Sequence, residues 1–261
     1  MAGVADSPYF LIVLLVSAFT MPLVFVAVIR NTARQAREPW RLVLKAFFWG
    51  AVFSVIIAII FSLVLSATLG QVGPLNEFLA RRLHDPDVVY LVVGAVIVAP
   101  IVEEAAKGLG VRAGRPEIQK LLDGLVYGAA AGLGFSATEN LFYGIARLLE
   151  SGPTASLVEI LIRSFSSSLL HASSTAVFGY GLAKTWLVRR AWAFVPYYLT
   201  AVIMHAVFNL VAVLGELYAT QYGDLGRLVS FVVGVSFAVV AITLVRIKLR
   251  SRTHRDVRGD G

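Results

Sequence analysis

Glu103, Glu104, Lys107, Asp123, Glu139, His171 and His205 are ionisable residues set inside otherwise apolar stretches of this 261-residue chain. A charge near the centre of a bilayer costs at least about 2.5–3.5 kcal/mol, so such residues usually face a polar cavity or perform chemistry. Residues four apart on a helix share a face. Glu103 and Lys107 therefore lie together, and Glu104 reaches Lys107 three positions on. The two adjacent glutamates point about 100° apart, so one can face a cavity while the other pairs with a neighbouring helix. One lysine neutralises one carboxylate, which leaves the second for chemistry. Ser167, His171 and Thr175 line one stripe of the hydroxyl-rich SFSSSLLHASST stretch. Glu139 shares a face with Tyr143, and His205 with Asn209.

Two carboxylates and two imidazoles suffice to activate water. A carboxylate in a low dielectric holds its proton more tightly and can act as a general base near neutral pH. An imidazole can hold the water or donate to a developing oxyanion. Two neutral histidines and a carboxylate are equally the ligand set of a catalytic site for a divalent metal such as Zn2+ with one open position. The ligands would then be His171, His205 and either Glu103 or Glu104. The residue types leave both modes open.

Blander roles compete at each position. Glu104–Lys107 reads as an ion pair, Glu139 as a packing hydrogen-bonder, Asp123 as a helix-start residue and Asn209 as an orienting group. His84 and His254 read as solvated. The chain has no cysteine, which excludes disulfides, thiolate ligands and cysteine nucleophiles. HExxH is absent. Leu122-Asp123-Gly124 resembles only half of the zinc site-two protease signature, and Gly134-Phe135-Ser136 lacks the glycine that should follow at position 138. An aspartyl pair would need a second membrane aspartate, and Asp224 falls in a predicted loop.

The elements that must position these groups are membrane helices. Hydrophobic residues make up 58% of the chain and charged ones 15%, with a mean hydropathy of +0.78; soluble domains carry about 25% charged residues. This excludes soluble globular and disordered classes. It also argues against nucleic-acid binding despite the net charge of +7, because the basic residues sit between apolar runs. Seven runs are long enough to span: Tyr9–Ile29, Leu42–Leu69, Val88–Gly110, Leu121–Leu149, Leu157–Leu182, Trp192–Leu214 and Leu225–Ile247. The first is too long, and lacks a preceding basic residue, for a cleaved signal peptide. One set of connections holds eighteen basic residues and the alternate set five, Arg163 among the latter. The positive-inside rule then predicts an outer N-terminus and a cytoplasmic C-terminus. The stretch 71–87 is expected to form an interfacial helix and the tail 250–261 to be disordered. The whole of 1–261 reads as one transmembrane domain, with the chemistry in 88–215. In the fourth run, Gly124, Gly128, Gly132, Ser136, Asn140 and Gly144 form a small-residue ladder that lets helix backbones approach closely.

The ordered set Glu103-Glu104-x-x-Lys107, Asp123-Gly124, GAAAGLGFSATENLFY, His171 and His205-x-x-x-Asn209 resembles the PrsW family of intramembrane proteases, related to the CAAX prenyl proteases and bacteriocin-processing enzymes. The resemblance covers roughly 88–215. It implies a multi-pass peptidase of the bacterial cytoplasmic membrane, glutamate-dependent and often labelled a metalloprotease. Its implied partners are the bilayer and a membrane-protein substrate such as an anti-sigma factor. Carried over by position, Glu103, Glu104, His171 and His205 are the expected catalytic set. Glu139 joins them, and Lys107, Asn140 and Asn209 support. Glu139-Asn140 stands where the prenyl-protease relatives more often have histidine, which speaks against prenylated substrates. The competing class is a proton-coupled transporter or channel with a Glu/His relay. Transporters usually show internal repeats, and no correspondence between the halves is visible. A catalytically dead scaffold is the third reading.

Overall fold

The computed structural model describes residues 8–32, 37–83 and 85–251, and among these every regular element is a helix. In chain order they are α1 (Pro8–Thr32), α2 (Trp40–Phe48), α3 (Val55–Leu69), α4 (Gly73–Leu83), α5 (Pro86–Val92), α6 (Ala99–Val111), α7 (Leu121–Phe165), α8 (Ser167–Val188), α9 (Val195–Tyr222) and α10 (Asp224–Ser251). A π-helical turn at Trp49–Ser54 joins α2 to α3, and another at Val93–Val98 joins α5 to α6. Neighbouring helices serve the carbonyls of these wide turns. Thr138 Oγ1 donates to the Ala51 carbonyl and Asn209 Nδ2 to the Ala95 carbonyl, both at 2.7 Å. Such partners matter in lipid, where no water can take the role.

Helix α7 is the centre of the bundle, and every residue from Asp123 to Ala137 is buried. The small-residue ladder is its contact line with α8. A methyl group at Gly124, Gly128 or Gly132 would strike the backbone of Gly179, Thr175 or His171 respectively. Above them Ser136 Oγ meets Ser168 Oγ at 2.8 Å, and Asn140 Nδ2 donates to that same hydroxyl at 3.0 Å. On the other side Gly134 abuts the carbonyl of Phe47, and Gly50 that of Ala131. Backbones thus touch on both flanks of α7.

The fourth and fifth predicted runs are arranged differently from the expectation. The chain reverses at Gly152, whose φ of +86° favours glycine, and Pro153 opens the returning helix. This segment runs back along α7, with Ser156 Oγ donating to the Gly144 carbonyl at 2.6 Å and Ile160 seated at Gly144. Ser166 then breaks the helix (φ −111°, ψ −76°) before α8 continues. The expected single helix Leu157–Leu182 is therefore two pieces. The stretch expected at 71–87 contains α4, while α5 begins at Pro86. Arg250 and Ser251 are helical, not disordered as expected, because α10 continues through them; 252–261, with His254, and His84 lie outside the described residues.

Among the described residues, five helices are long and apolar enough to cross a membrane: Tyr9–Thr32, Trp40–Leu69, Val88–Glu117, Val195–Ala219 and Asp224–Arg250. The expected fourth and fifth spans fall outside that set, being rich in glycine, serine and threonine. Asp123 plays the helix-start role, with Oδ2 accepting from the backbone N–H groups of Gln119 and Lys120 at 2.9 and 2.8 Å.

Ahead of α2, Glu38 is buried and accepts a hydrogen bond from the Tyr127 hydroxyl. Burial pushes its carboxyl up to about 7, partly offset by that bond and reinforced by Asp123 nearby.

Two outcomes test this packing. Gly132→Ala should destabilise the protein in detergent by about 1–3 kcal/mol, whereas Gly73→Ala, with nothing near its Cβ position, should leave the melting temperature unchanged. Equal effects would remove the close approach of α7 and α8. For Glu38 the folded state binds the proton more tightly than the unfolded state, so stability falls as pH rises from about 4.5 to about 7. Glu38→Gln keeps the acceptor for Tyr127 and removes this loss. Its melting temperature should match wild type near pH 4.5 and exceed it above pH 7, a gain of about 2–3 kcal/mol. A constant difference across that range would refute the assignment.

Candidate active site

Glu103, Glu104 and Lys107 occupy successive turns of α6 and separate as their spacing requires. The Glu104 and Lys107 side chains have no exposed surface. Lys107 Nζ donates to Glu104 Oε1 at 2.8 Å and lies 3.7 Å from Glu103 Oε2. Glu104 collects donors from two further helices. Oε1 also accepts from Ser174 Oγ at 3.0 Å and His205 Nδ1 at 3.1 Å, and Oε2 accepts from Thr175 Oγ1 at 2.9 Å. Four donors saturate this carboxylate. Glu103 is the opposite case: its side chain is 14% exposed, and its buried Oε2 has no hydrogen-bond partner.

The two histidines meet edge-on, with ring centroids 4.8 Å apart. His205 donates through Nδ1 to Glu104, which leaves Nε2 facing Glu103 Oε2 at 3.8 Å. His171 Nδ1 lies 2.8 Å from Lys107 Nζ. An ammonium can only donate, so Nδ1 accepts and the ring proton sits on Nε2. That nitrogen faces Glu139 Oε2 at 3.0 Å.

Glu139 is part of this cluster, although its position along the fourth helix leaves a packing contact equally open. The reason is the reversal at Gly152, which returns Arg163 to the level of Glu139. Arg163 Nη2 pairs with Glu139 Oε2 at 2.8 Å, its Nε donates to Asn140 Oδ1 at 3.2 Å, and its guanidinium stacks on Tyr143. Sequence reasoning counts Arg163 only with the basic residues of the connections, although it falls inside the fifth predicted run, and does not expect it in the site. The available signal was its place inside the apolar run LVEILIRSF. Ser174 was likewise missed, one position off the predicted stripe. Asn209 does not join the cluster; it serves the Ala95 carbonyl instead.

Glu103 and Glu139 both open into a cleft of about 190 Å3 between α3, α6 and α7, otherwise lined by Val55, Ala58, Ile59, Ser62, Phe135 and Phe142. One donor atom each from Glu103, His171 and His205 lie within 4.8 Å of one another. The free Glu103 Oε2 and the outward Nε2 of His205 suit a divalent metal, and His171 can join by exchanging one of its two hydrogen bonds. His205 held by Glu104 is the carboxylate–histidine pairing that orients metal ligands. The arrangement can thus bind a metal or polarise water directly.

No curated protein and no solved structure matches this chain. The pattern that defines the PrsW family intramembrane metalloproteases matches residues 38–245, from the buried Glu38 through the whole cluster and into α10. On that match, which takes in most of its length, the chain belongs to the PrsW family and is a protease.

Proposed function

We propose that the protein hydrolyses a peptide bond of a membrane-protein substrate within the bilayer, with Glu103 as the carboxylate that works on water. The observation that carries this reading is the contrast between the two adjacent glutamates. Glu104 is saturated and sealed, while Glu103 lines the cleft and its inner oxygen, beside His205, accepts no hydrogen bond. Glu103 takes the proton of the attacking water, the hydroxide adds to the substrate carbonyl, and Glu103 returns the proton to the departing amine. His205 Nε2 orients the water, held by Glu104. His171, fixed by Lys107 and Glu139, stands beside Glu103 and His205 and can turn a ring nitrogen to the reacting centre by exchanging one of these hydrogen bonds. A divalent ion held by Glu103, His171 and His205 would polarise the carbonyl and acidify the water. Having two oxygens, Glu103 can bind with one and accept a proton with the other. The substrate reaches Glu103 through the apolar cleft between α3 and α7, whose walls suit a lipid-embedded segment.

In this reading the chain crosses the bacterial cytoplasmic membrane seven times, with the N-terminus outside. The excess of basic residues on one set of connections supports that topology, and it persists when Lys107 and Arg163 are counted with the site. The fourth crossing is α7 as far as Gly152 and the fifth is its returning segment with α8; their stretches Asp123–Ala137 and Ser167–Ala176 are buried and so need less apolar character. An anti-sigma factor or a similar single-span regulator is the expected substrate class.

Purified protein in detergent, incubated with a single-span substrate, separates the two glutamates. Glu103→Gln should lower the cleavage rate by about 10²–10⁴-fold and melt near the wild-type temperature. Glu104→Gln should lower the rate and also destabilise the fold by about 3–5 kcal/mol, because Lys107 loses its buried partner. Undiminished cleavage by Glu103→Gln would end this assignment, and proton-coupled transport without cleavage would favour a relay.

Elemental analysis should find about one divalent ion per chain, lowered in His205→Ala and in Glu103→Gln, with chelation stopping cleavage and Zn2+ restoring it. Full activity in metal-free protein would remove the ion from the mechanism.

A further inference from the structure

A second cavity lies behind the ion pair that closes the site. It measures about 230 Å3; Arg163, Ser166 and Ser167 line it near the site and Glu216, Arg227 and Ser230 farther out, along walls otherwise made largely of apolar side chains such as Phe208 and Phe231. Its character differs from that of the cleft between α3 and α7. Glu216 and Arg227 pair at 3.2 Å with more than half of each side chain exposed. The inner end is a constriction. Arg163 Nη2 donates to Ser167 Oγ at 3.3 Å, Ser167 Oγ to Glu139 Oε2 at 3.4 Å, and Arg163 pairs with Glu139. Glu139 therefore stands between two chambers: an apolar one that it shares with Glu103, and a more polar one whose inner wall is built by its own partners.

Hydrolysis inside a bilayer consumes one water per bond, and the apolar cleft is a poor conduit for it. We infer that the polar chamber between the returning segment of α7, α9 and α10 is the water inlet of the site, with Arg163 and Ser167 as its inner constriction. The inference rests on the hydrolytic reading. Water passes the charged mouth, moves along the hydroxyls of Ser230, Ser166 and Ser167, and reaches the Glu139–His171 pair. Arg163 is a positioning residue here: it holds Glu139 towards His171 and keeps the chamber polar without touching substrate.

The absence of cysteine makes the test direct. Ser230→Cys and Ser167→Cys are each treated in detergent with a charged methanethiosulfonate, with Val240→Cys, in an apolar groove farther along α10, as the reference. Both chamber cysteines should react faster than the reference by about tenfold or more. Once modified, Ser230→Cys should lose about tenfold in kcat with KM for the substrate unchanged, because the inlet and not the substrate cleft is filled. Failure of Ser167→Cys to react, or full turnover by modified Ser230→Cys, overturns the inlet. Reaction rates are read without any cleavage. A reactive chamber in a protein that cleaves nothing would therefore defeat the hydrolytic reading, while an unreactive chamber in an active protease would defeat the inlet alone.

Discussion

The buried ammonium of Lys107 is the constraint around which the rest of the structure is arranged. Taking a charged lysine out of water costs several kcal/mol, and the cost is offset only by well-placed partners. Lys107 finds them in Glu104 on its own helix, in His171 on α8 and in the face of Phe135 on α7, 4.7 Å from Nζ. Glu104 carries the complementary charge and is fixed by α8 through Ser174 and Thr175, and by α9 through His205. Three helices are thereby held in one register. Two chemical consequences follow. The proton on His171 is confined to Nε2, and the neighbouring Glu103 is left as the carboxylate without a full complement of donors.

Such a network forms only if backbones come close enough for short side chains to meet. In lipid there is little hydrophobic gain in bringing helices together, so packing and hydrogen bonds must do it. The glycines of α7 bring α8 into backbone contact on one flank and α2 on the other. The two π-helical turns widen the neighbouring helices, and side chains from α7 and α9 serve their carbonyls. Glu139 reaches His171 because Gly132 lies against the His171 carbonyl. The same closeness brings Ser136 and Asn140 onto Ser168.

The site is two-sided. Its apolar mouth between α3 and α7 is compatible with a substrate that arrives from lipid, whereas hydrolysis requires a reactant that is insoluble there. The Glu139–Arg163 pair divides an apolar chamber from a polar one. It does so because the chain turns at Gly152 and brings a charged residue back down the bundle.

Much of this was legible in the residues. The apolar runs announced helices, because a helix that must satisfy its own backbone in lipid needs little beyond length and hydropathy. The i, i+3 and i, i+4 spacing of Glu103, Glu104 and Lys107 predicted their pairing, and the small-residue ladder predicted the α7–α8 contact, since helical periodicity is local. The convergence of Glu103, Glu104, His171 and His205 was foreseen from residue types, whereas for Glu139 a packing contact stood equally open. The division of labour within it was not: which glutamate is saturated depends on hydroxyls and an imidazole from α8 and α9, far apart in the chain. Arg163 joined the site, and Asn209 left it for a π-turn carbonyl, for the same reason. A reversal at one glycine and a widened turn shift neighbours by a few ångströms, and no periodicity along a single helix encodes such a shift. Identity and spacing thus specified which groups this chain could bring together, and only the packing of three helices around a buried charge decided which carboxylate was saturated with donors and which was not.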